Sequence, residues 1–312
     1  MTTERTSVPG SSRLLRPANG TVAFFTTVGA LILLVGRPIG WEPAATVYAM
    51  LGVLPFLFEG LERLVPSRAT HYVAALYPCL GIPLAYLHLD PLCTLLHPVL
   101  ADARLQEIDQ VLFHVQPSVW LAPHVAPWMN DVLMACYSSY YFWPALLGVV
   151  YLWFGKEREF DRWATIIALA SMLNYVFYIL VPAEGPRFML AGAFAAPVHG
   201  RFLATWLWEE FRHSPYLRDC FPSGHTALTL LMLLEAWRFQ RRLFWVALPV
   251  ATGLIVATVA CRFHYGIDLV AALPFAALVL FVTEPVLRAS PSRWFNLRAL
   301  ATANRETRGG VH

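Results

Sequence analysis

Eight long apolar runs constrain the fold of this 312-residue chain more than any other feature of its sequence. A helix needs about 17–25 mostly apolar residues to cross the hydrocarbon core of a bilayer. The runs cover residues 20–36, 43–58, 71–89, 132–154, 163–181, 222–237, 243–261 and 267–287, the second and sixth being short. We therefore predict an all-α fold, a polytopic membrane helix bundle with about eight spans.

The composition agrees with this prediction and excludes two other classes of protein. Only 14% of the residues are charged and 57% are hydrophobic, whereas a soluble domain has about 25% charged and 45–50% apolar residues. So much apolar surface is also too much for a disordered chain. The 23 basic and 20 acidic residues nearly balance, and a net charge of +3 is too small to indicate a nucleic-acid partner.

The basic residues predict the orientation of the bundle. Sixteen of the 23 Lys and Arg residues lie in one alternating set of segments, residues 1–19, 59–70, 155–162, 238–242 and 288–312. Since Lys and Arg concentrate on the cytoplasmic side, both termini should be cytoplasmic and loops 90–131 and 182–221 should face outward. An Arg-rich, Lys-poor composition suggests a bacterial source, so we expect an inner (cell) membrane protein whose outer face is periplasmic or exterior.

Each long outer loop contains a candidate interfacial segment. Ile108, Val111, Leu112 and Val115 follow helical spacing, which predicts an amphipathic helix on the outer surface. Residues 202–208, rich in Trp and Leu, form a second candidate. Packing of both segments against the bundle is an equally good interpretation.

Three short polar stretches fall at helix ends that this topology places on the outer face. They are residues 182–187 (Pro-Ala-Glu-Gly-Pro-Arg), 222–225 (Pro-Ser-Gly-His) and 262–268 (Arg-Phe-His-Tyr-Gly-Ile-Asp). We expect Pro222 in the first turn of a helix, where the backbone N–H groups of a helix start bind oxyanions. Gly224 would let an anion approach the backbone, and His225 could donate a proton to its leaving oxygen.

The third stretch predicts an oriented imidazole. His264 and Asp268 are four residues apart, so one face of a helix would bring them together, and the carboxylate would fix the ring tautomer. Arg187 and Arg262 offer planar donors for phosphoryl oxygens. Three other interpretations stay open: each histidine could be an interfacial residue at a helix end, the arginines could anchor lipid headgroups, and the His–Asp pair could bind a metal if more carboxylate or thiolate lay nearby.

Residues 222–225 together with Arg262, His264 and Asp268 resemble the type 2 phosphatidic acid phosphatase superfamily of membrane lipid phosphatases and phosphotransferases. The resemblance implies a catalytic membrane core at 71–287, preceded by a cytoplasmic tail (1–19) and a transmembrane hairpin (20–70) and followed by a cytoplasmic tail (288–312).

The resemblance also implies residue roles. His264 would be the nucleophile that forms a phosphohistidine, oriented by Asp268, and His225 would be the general acid. Arg187, Ser223, Gly224 and Arg262 would hold the phosphoryl oxygens. No metal and no cofactor are expected.

Two positions depart from the family pattern. A Lys expected seven residues before Arg187 is Leu180, and an Arg expected six residues before His264 is Thr258. In both features the chain resembles the branch of the family that includes inositol phosphorylceramide synthases. Tyr178, Tyr265 and Glu184 are candidates to replace the missing Lys, although a structural role is the simpler expectation for each.

The sequence favours a metal-independent phosphatase acting on a membrane lipid phosphate at the outer face. The alternative is a phosphotransferase that passes a phospho-headgroup to a lipid alcohol. A non-enzymatic transporter or scaffold is disfavoured because polar residues inside the spans are few (Ser171, Asn174 and Glu235). The oligomeric state and a Cys220–Cys261 disulfide stay open.

Overall fold

The structure is a computed structural model that describes residues 15–212 and 218–288. Within these ranges all regular secondary structure is helical, which confirms the all-α prediction. The predicted C-terminal tail after residue 288 and most of the predicted N-terminal tail lie outside the described residues.

The N-terminal group consists of five helices. They are α1 (Pro17–Gly36), α2 (Trp41–Leu64), α3 (Arg68–Ala75), α4 (Tyr77–Leu87) and α5 (Asp90–Leu96). The first two pack together as a hairpin, so the short second apolar run is a helix of 24 residues. The third run is covered by α3 and α4, and α5 follows it at an angle of 50° to their axis.

The next four helices connect this group to the centre of the bundle. They are α6 (Asp102–Phe113), α7 (Pro117–Leu121), α8 (Pro127–Ser138) and α9 (Trp143–Trp153). The fourth apolar run is therefore two helices, which meet at an angle of 54°.

Six helices complete the described chain. They are α10 (Glu157–Leu180), α11 (Pro186–Met189), α12 (Leu203–Arg212), α13 (Gly224–Phe239), α14 (Arg241–Ala260) and α15 (Gly266–Arg288). Five of the described helices are each long and apolar enough to cross a membrane: α1, α2, α10, α14 and α15. The number of candidate spans rises to seven if each of the two bent groups, α3–α5 and α8–α9, is counted as one span. The protein is membrane-embedded. The count of eight spans stays a prediction, because α13 has 16 residues and is only about 24 Å long.

Helix α10 is the centre of the bundle. In its most apolar stretch 61% of the residues are buried inside the protein, compared with 39% for α14 and α15. Helices α1, α4 and α5 pack on one side of it and α9, α13 and α15 on the other. Tyr175 and Met172 belong to the first of these two apolar cores, and Trp163 and Ile166 to the second.

The two ends of the bundle carry different polar groups. At the far end, where α10 begins, Arg162 contacts Glu235 of α13 at 3.0 Å and Glu284 of α15 at 2.8 Å. Arg16 contacts Glu62 at 3.0 Å at the same end. The site end, where α10 stops and α13 and α15 begin, contains the three polar stretches, which we call the first, second and third motifs in chain order. Glu235, which the sequence placed inside a span, thus joins an ion-pair network at the far end.

Helix α6 confirms the predicted amphipathic helix but reverses the face that contacts the protein. The apolar residues Ile108 and Val111 are 40% and 74% exposed. The buried face is formed by Asp102, Leu105 and Asp109. The reason is that both carboxylates accept hydrogen bonds from backbone N–H groups of the motif loops, described below.

The second interfacial candidate is helix α12. Phe202, just before it, and Trp206 are 86% and 60% exposed, whereas Trp208 is buried. The segment therefore packs on the bundle through one face and leaves large apolar groups exposed on the other.

We predict that Asp109→Ala destabilises the protein. The Asp109 carboxylate accepts hydrogen bonds from Gly266 N at 2.8 Å and Ile267 N at 2.7 Å, at the start of α15. Alanine would leave these donors without the acceptor, at a cost of about 1–3 kcal/mol in the free energy of unfolding. The control is Glu107→Ala, since that side chain is 69% exposed on the same helix. Equal thermal melting of both variants in detergent would contradict the capping role.

Candidate active site

Main-chain hydrogen bonds bring the three polar stretches together at the site end. The N–H of Arg187 donates to the carbonyl of Arg262 at 2.9 Å, which joins the first stretch to the third. The N–H of Ser223 donates to the carbonyl of Asp268 at 3.2 Å, which joins the second to the third. The convergence that the sequence predicted is therefore present in the fold.

His264 and Asp268 form a buried pair at the start of α15. Nδ1 of His264 lies 3.2 Å from Oδ2 of Asp268, and the two side chains are 3% and 0% exposed. The N–H of Tyr265 also donates to Oδ2, at 2.8 Å. An ionised carboxylate only accepts, so Nδ1 carries the hydrogen and Nε2 keeps its lone pair. This is the tautomer that a histidine nucleophile requires.

His225 lies between aromatic rings at the start of α13. Its ring stacks on Tyr137 at 4.5 Å and lies 4.2 Å from the Tyr140 ring. The centres of the His225 and His264 rings are 5.8 Å apart. Nε2 of His225 is buried and has no hydrogen-bond partner among the residues that the structure describes. The two imidazoles are close enough to contact one tetrahedral phosphoryl group from different sides.

The start of α13 differs from the prediction in two details. Pro222 precedes the helix, and Ser223 is the N-cap, whose Oγ accepts from Thr226 N at 3.2 Å. A Cβ at position 224 would lie 2.3 Å from Oδ1 of Asn174, so Gly224 makes room for that side chain rather than simply exposing the backbone. Ser223 retains its hydroxyl hydrogen and can still donate it.

The two arginines have different surroundings. The Arg187 guanidinium lies 4.0 Å from Oδ1 of Asp219 and 5.4 Å from the Phe263 ring. Arg262 has a left-handed backbone, with φ of 66°, and its guanidinium lies 3.8 Å above the Phe194 ring. Both are 8% exposed, which disfavours lipid-headgroup anchoring. Arg187 thus lies beside the histidine-bearing loops, whereas aromatic rings hold Arg262, and a phosphate-binding role for each stays a prediction.

Sequence reasoning missed the carboxylate that shapes the first motif. Asp102 of α6 is fully buried and accepts from Glu184 N at 3.0 Å, Gly185 N at 2.8 Å and the Tyr265 hydroxyl at 2.8 Å. Tyr265 is therefore structural rather than a substitute for the missing Lys. The available signal was the i, i+7 spacing of Asp102 and Asp109, opposite the apolar stripe.

Gly185 is a second residue that the sequence did not single out. Its φ is +86°, a conformation that favours glycine. A Cβ there would lie 2.6 Å from the carbonyl oxygen of Phe263 and 3.1 Å from the sulfur of Cys220. Only glycine therefore lets the first motif pack directly against the third.

Residues 103–282 match the PAP2 superfamily, and this region contains all three motifs and more than half of the chain. The chain belongs to the PAP2 superfamily. The match confirms the resemblance seen in the motifs, and it makes the protein a membrane enzyme of the phosphatase and phosphotransferase type. Helices α1–α5 lie outside the matched region. Comparison with curated proteins and with solved structures gave no match.

Cys220 is a further member of this PAP2 site that the sequence did not assign. Its sulfur lies 2.9 Å from Oδ2 of Asp268 and 3.7 Å from Nδ1 of His264. Cys220 and Cys261 are both free thiols, so no disulfide joins them. Burial, and then the neighbouring Asp268 carboxylate, raise the pKa of the Cys220 thiol well above its usual value. A protonated thiol donates to Asp268 and shares in holding it.

Cys220, His264 and Asp268 also form the ligand set that a metal would use. Their three ligand atoms all lie within 4.8 Å of one another. Sulfur, imidazole nitrogen and carboxylate oxygen are typical zinc ligands. Cys220 thus supplies the sulfur that a metal site here would need. Zn–S and Zn–O bonds of about 2.3 and 2.0 Å at a tetrahedral angle would hold the two ligand atoms about 3.5 Å apart. The sulfur of Cys220 lies only 2.9 Å from Oδ2 of Asp268, so we interpret the contact as a hydrogen bond from the thiol to the carboxylate.

We predict that Cys220→Ser melts close to the wild type and that Cys220→Ala is destabilised by about 1–2 kcal/mol. Serine keeps a donor for Asp268, whereas alanine removes it. Thermal melting in detergent measures both, with Cys79→Ala as a control at an exposed thiol. Elemental analysis of wild-type protein should find less than one zinc per chain. Stoichiometric zinc that disappears in Cys220→Ser would establish the metal site instead.

Proposed function

We propose that this PAP2 protein is a metal-independent phosphatase that hydrolyses a lipid phosphate ester through a phosphohistidine at His264. The observation that carries the proposal is the buried His264–Asp268 pair, which leaves Nε2 free beside the ring of His225. Arg187 and the start of α13 supply the neighbouring positive charge and N–H groups.

The first chemical step transfers the phosphoryl group to the enzyme. Nε2 of His264 attacks phosphorus, the P–O ester bond breaks, and its electron pair leaves on the alcohol oxygen. His225 donates a proton to that oxygen, so the lipid product departs as a neutral alcohol.

The second step regenerates the enzyme. His225, now able to act as a base, takes a proton from water, and the water oxygen attacks the phosphohistidine. The P–N bond breaks, inorganic phosphate is released, and His264 recovers its lone pair. Asp268 stays ionised and keeps the ring orientation constant during both steps.

The extracytoplasmic position of the site is part of the proposal. The motifs lie at the site end, and most basic residues lie in segments assigned to the opposite side by the positive-inside rule. We accordingly propose an inner (cell) membrane protein that receives its lipid from the bilayer and releases phosphate to the periplasm or exterior.

The alternative function is transfer of a phospho-headgroup to a lipid alcohol. In this reaction His264 would carry the phospho-headgroup after the first step. A lipid alcohol, in place of water, would then attack the phosphorus in the second step. The observation that favours it is the pair of departures at Leu180 and Thr258, which resemble the inositol phosphorylceramide synthase branch.

An activity panel tests these proposals. Purified protein is assayed with phosphatidate, prenyl diphosphates and headgroup donors, with and without a sphingolipid acceptor. Phosphate release without an acceptor indicates the phosphatase, and a headgroup-bearing acceptor indicates the transferase. No reaction of either kind would contradict both and favour a non-enzymatic transporter or scaffold.

We predict that His264→Ala lowers turnover at least about 10³-fold, because it removes the nucleophile. The control is His199→Ala, since His199 is exposed in the loop before α12. Unchanged phosphate release by His264→Ala would show that the nucleophile is another group. Chelators should not reduce wild-type turnover, and a strict requirement for a divalent ion would contradict the metal-independent mechanism.

A further inference from the structure

A cleft of about 340 Å³ runs along α10 between α4 and α9. We call it the α4–α9 cleft. Its lining on α10 extends from Phe160 to Tyr178, which is about 27 Å along the helix axis at 1.5 Å per residue. The cleft therefore follows α10 for most of the thickness of a bilayer core.

The lining of the α4–α9 cleft changes along its length. Toward the far end it is apolar, with Leu76, Val149 and Ile167 in the walls and the buried rings of Phe160 and Trp163 at the end. Toward the site end it becomes polar, with side chains that carry hydroxyl, amide and carboxylate groups: Tyr86, Tyr140, Tyr178, Asn174 and Asp219. One end thus suits hydrocarbon and the other a polar headgroup.

The polar end of the cleft meets the candidate active site. The Tyr140 ring lies 4.2 Å from the ring of His225. Asp219 lies 4.0 Å from the Arg187 guanidinium and accepts a hydrogen bond from the Tyr86 hydroxyl. A molecule with its polar group at the histidines would therefore continue directly into the cleft.

The walls between α4 and α9 show where a lipid could enter. Leu76, Tyr141 and Val149 line the cleft and are 43%, 61% and 58% exposed. Cys79 of α4 and Ala145 of α9 line it and are exposed as well. Because most of these exposed side chains are apolar, the opening suits contact with the hydrocarbon of the bilayer rather than with water.

We infer that the α4–α9 cleft binds one hydrocarbon chain of the substrate lipid, extended along α10, while the phosphate lies at His225 and His264. The inference rests on the proposed function and adds the substrate class, a phosphate monoester or diester of a lipid that has at least one long hydrocarbon chain. Helices α3 and α4, which form one wall, lie outside the matched PAP2 region. Selection among chains would therefore depend partly on helices that lie outside the matched region.

Labelling of Cys79 tests the inference without requiring turnover. The probe is hexadecyl phosphate, with inorganic phosphate and hexyl phosphate as controls. Protein in detergent is treated with N-ethylmaleimide, and the modified Cys79 peptide is quantified by mass spectrometry. We predict that hexadecyl phosphate slows Cys79 modification at least fivefold and that both controls leave it within twofold of the rate without ligand.

A matched pair of variants checks where the chain lies. Ala145→Trp places a large ring in the cleft, and Leu146→Trp places the same ring on the neighbouring exposed position, outside the lining. Protection of Cys79 should be lost in Ala145→Trp and kept in Leu146→Trp. Protection that survives in Ala145→Trp, or no protection in the wild type, would overturn the inference.

The outcomes separate this inference from the proposed function. Turnover of a long-chain lipid phosphate with no protection of Cys79 would refute the cleft and leave the enzymatic proposal standing. Protection of Cys79 with no turnover of any lipid phosphate would support chain binding and refute the enzymatic proposal.

Discussion

The carboxylate of Asp268 is the interaction on which the rest of the site depends. Its Oδ2 lies within hydrogen-bonding distance of the Tyr265 N–H, the His264 ring and the Cys220 thiol. Its main-chain carbonyl accepts from Ser223 N, at the start of α13. One fully buried residue therefore orients the candidate nucleophile and also fixes its distance from the helix that carries His225. A buried charge needs such a set of donors, because desolvation without them is costly.

The surrounding helices satisfy the polar backbone of the motif loops in the same way. In an apolar environment every unpaired backbone group costs free energy, and irregular loops at a helix end contain several. Asp102 and Asp109 of α6 accept hydrogen bonds from backbone donors at positions 184, 185, 266 and 267. Ion pairs of Arg162 with Glu235 and Glu284 join α10, α13 and α15 at the far end. The active-site loops are thus held from outside, and the histidines need not stabilise the fold.

The sequence was sufficient for the helical fold and the motif residues, since apolar runs and polar tracts at their ends are local signals. Contacts between distant residues were not predictable in that way. Asp102 accepts a hydrogen bond from Tyr265, which is 163 positions away in the chain. The apolar stripe of α6 indicated the wrong contact face, because Asp102 lies on the face opposite that stripe. Gly224 and Pro222 were assigned from general helix-start chemistry, whereas their real environment depends on Asn174 of α10, whose amide donates to the Pro222 carbonyl. The sequence offered Cys220 only as a candidate for a disulfide with Cys261, because its partner Asp268 lies in another motif.

The central claim is that His264 carries the phosphoryl group during turnover. The direct measurement is rapid alkaline quenching of wild-type protein during turnover of a ³²P-labelled lipid phosphate, followed by digestion and mapping of the labelled peptide. The account predicts an acid-labile, alkali-stable label on His264 that is absent from His264→Ala. A label on any other residue, or full turnover with no labelled intermediate, would contradict it.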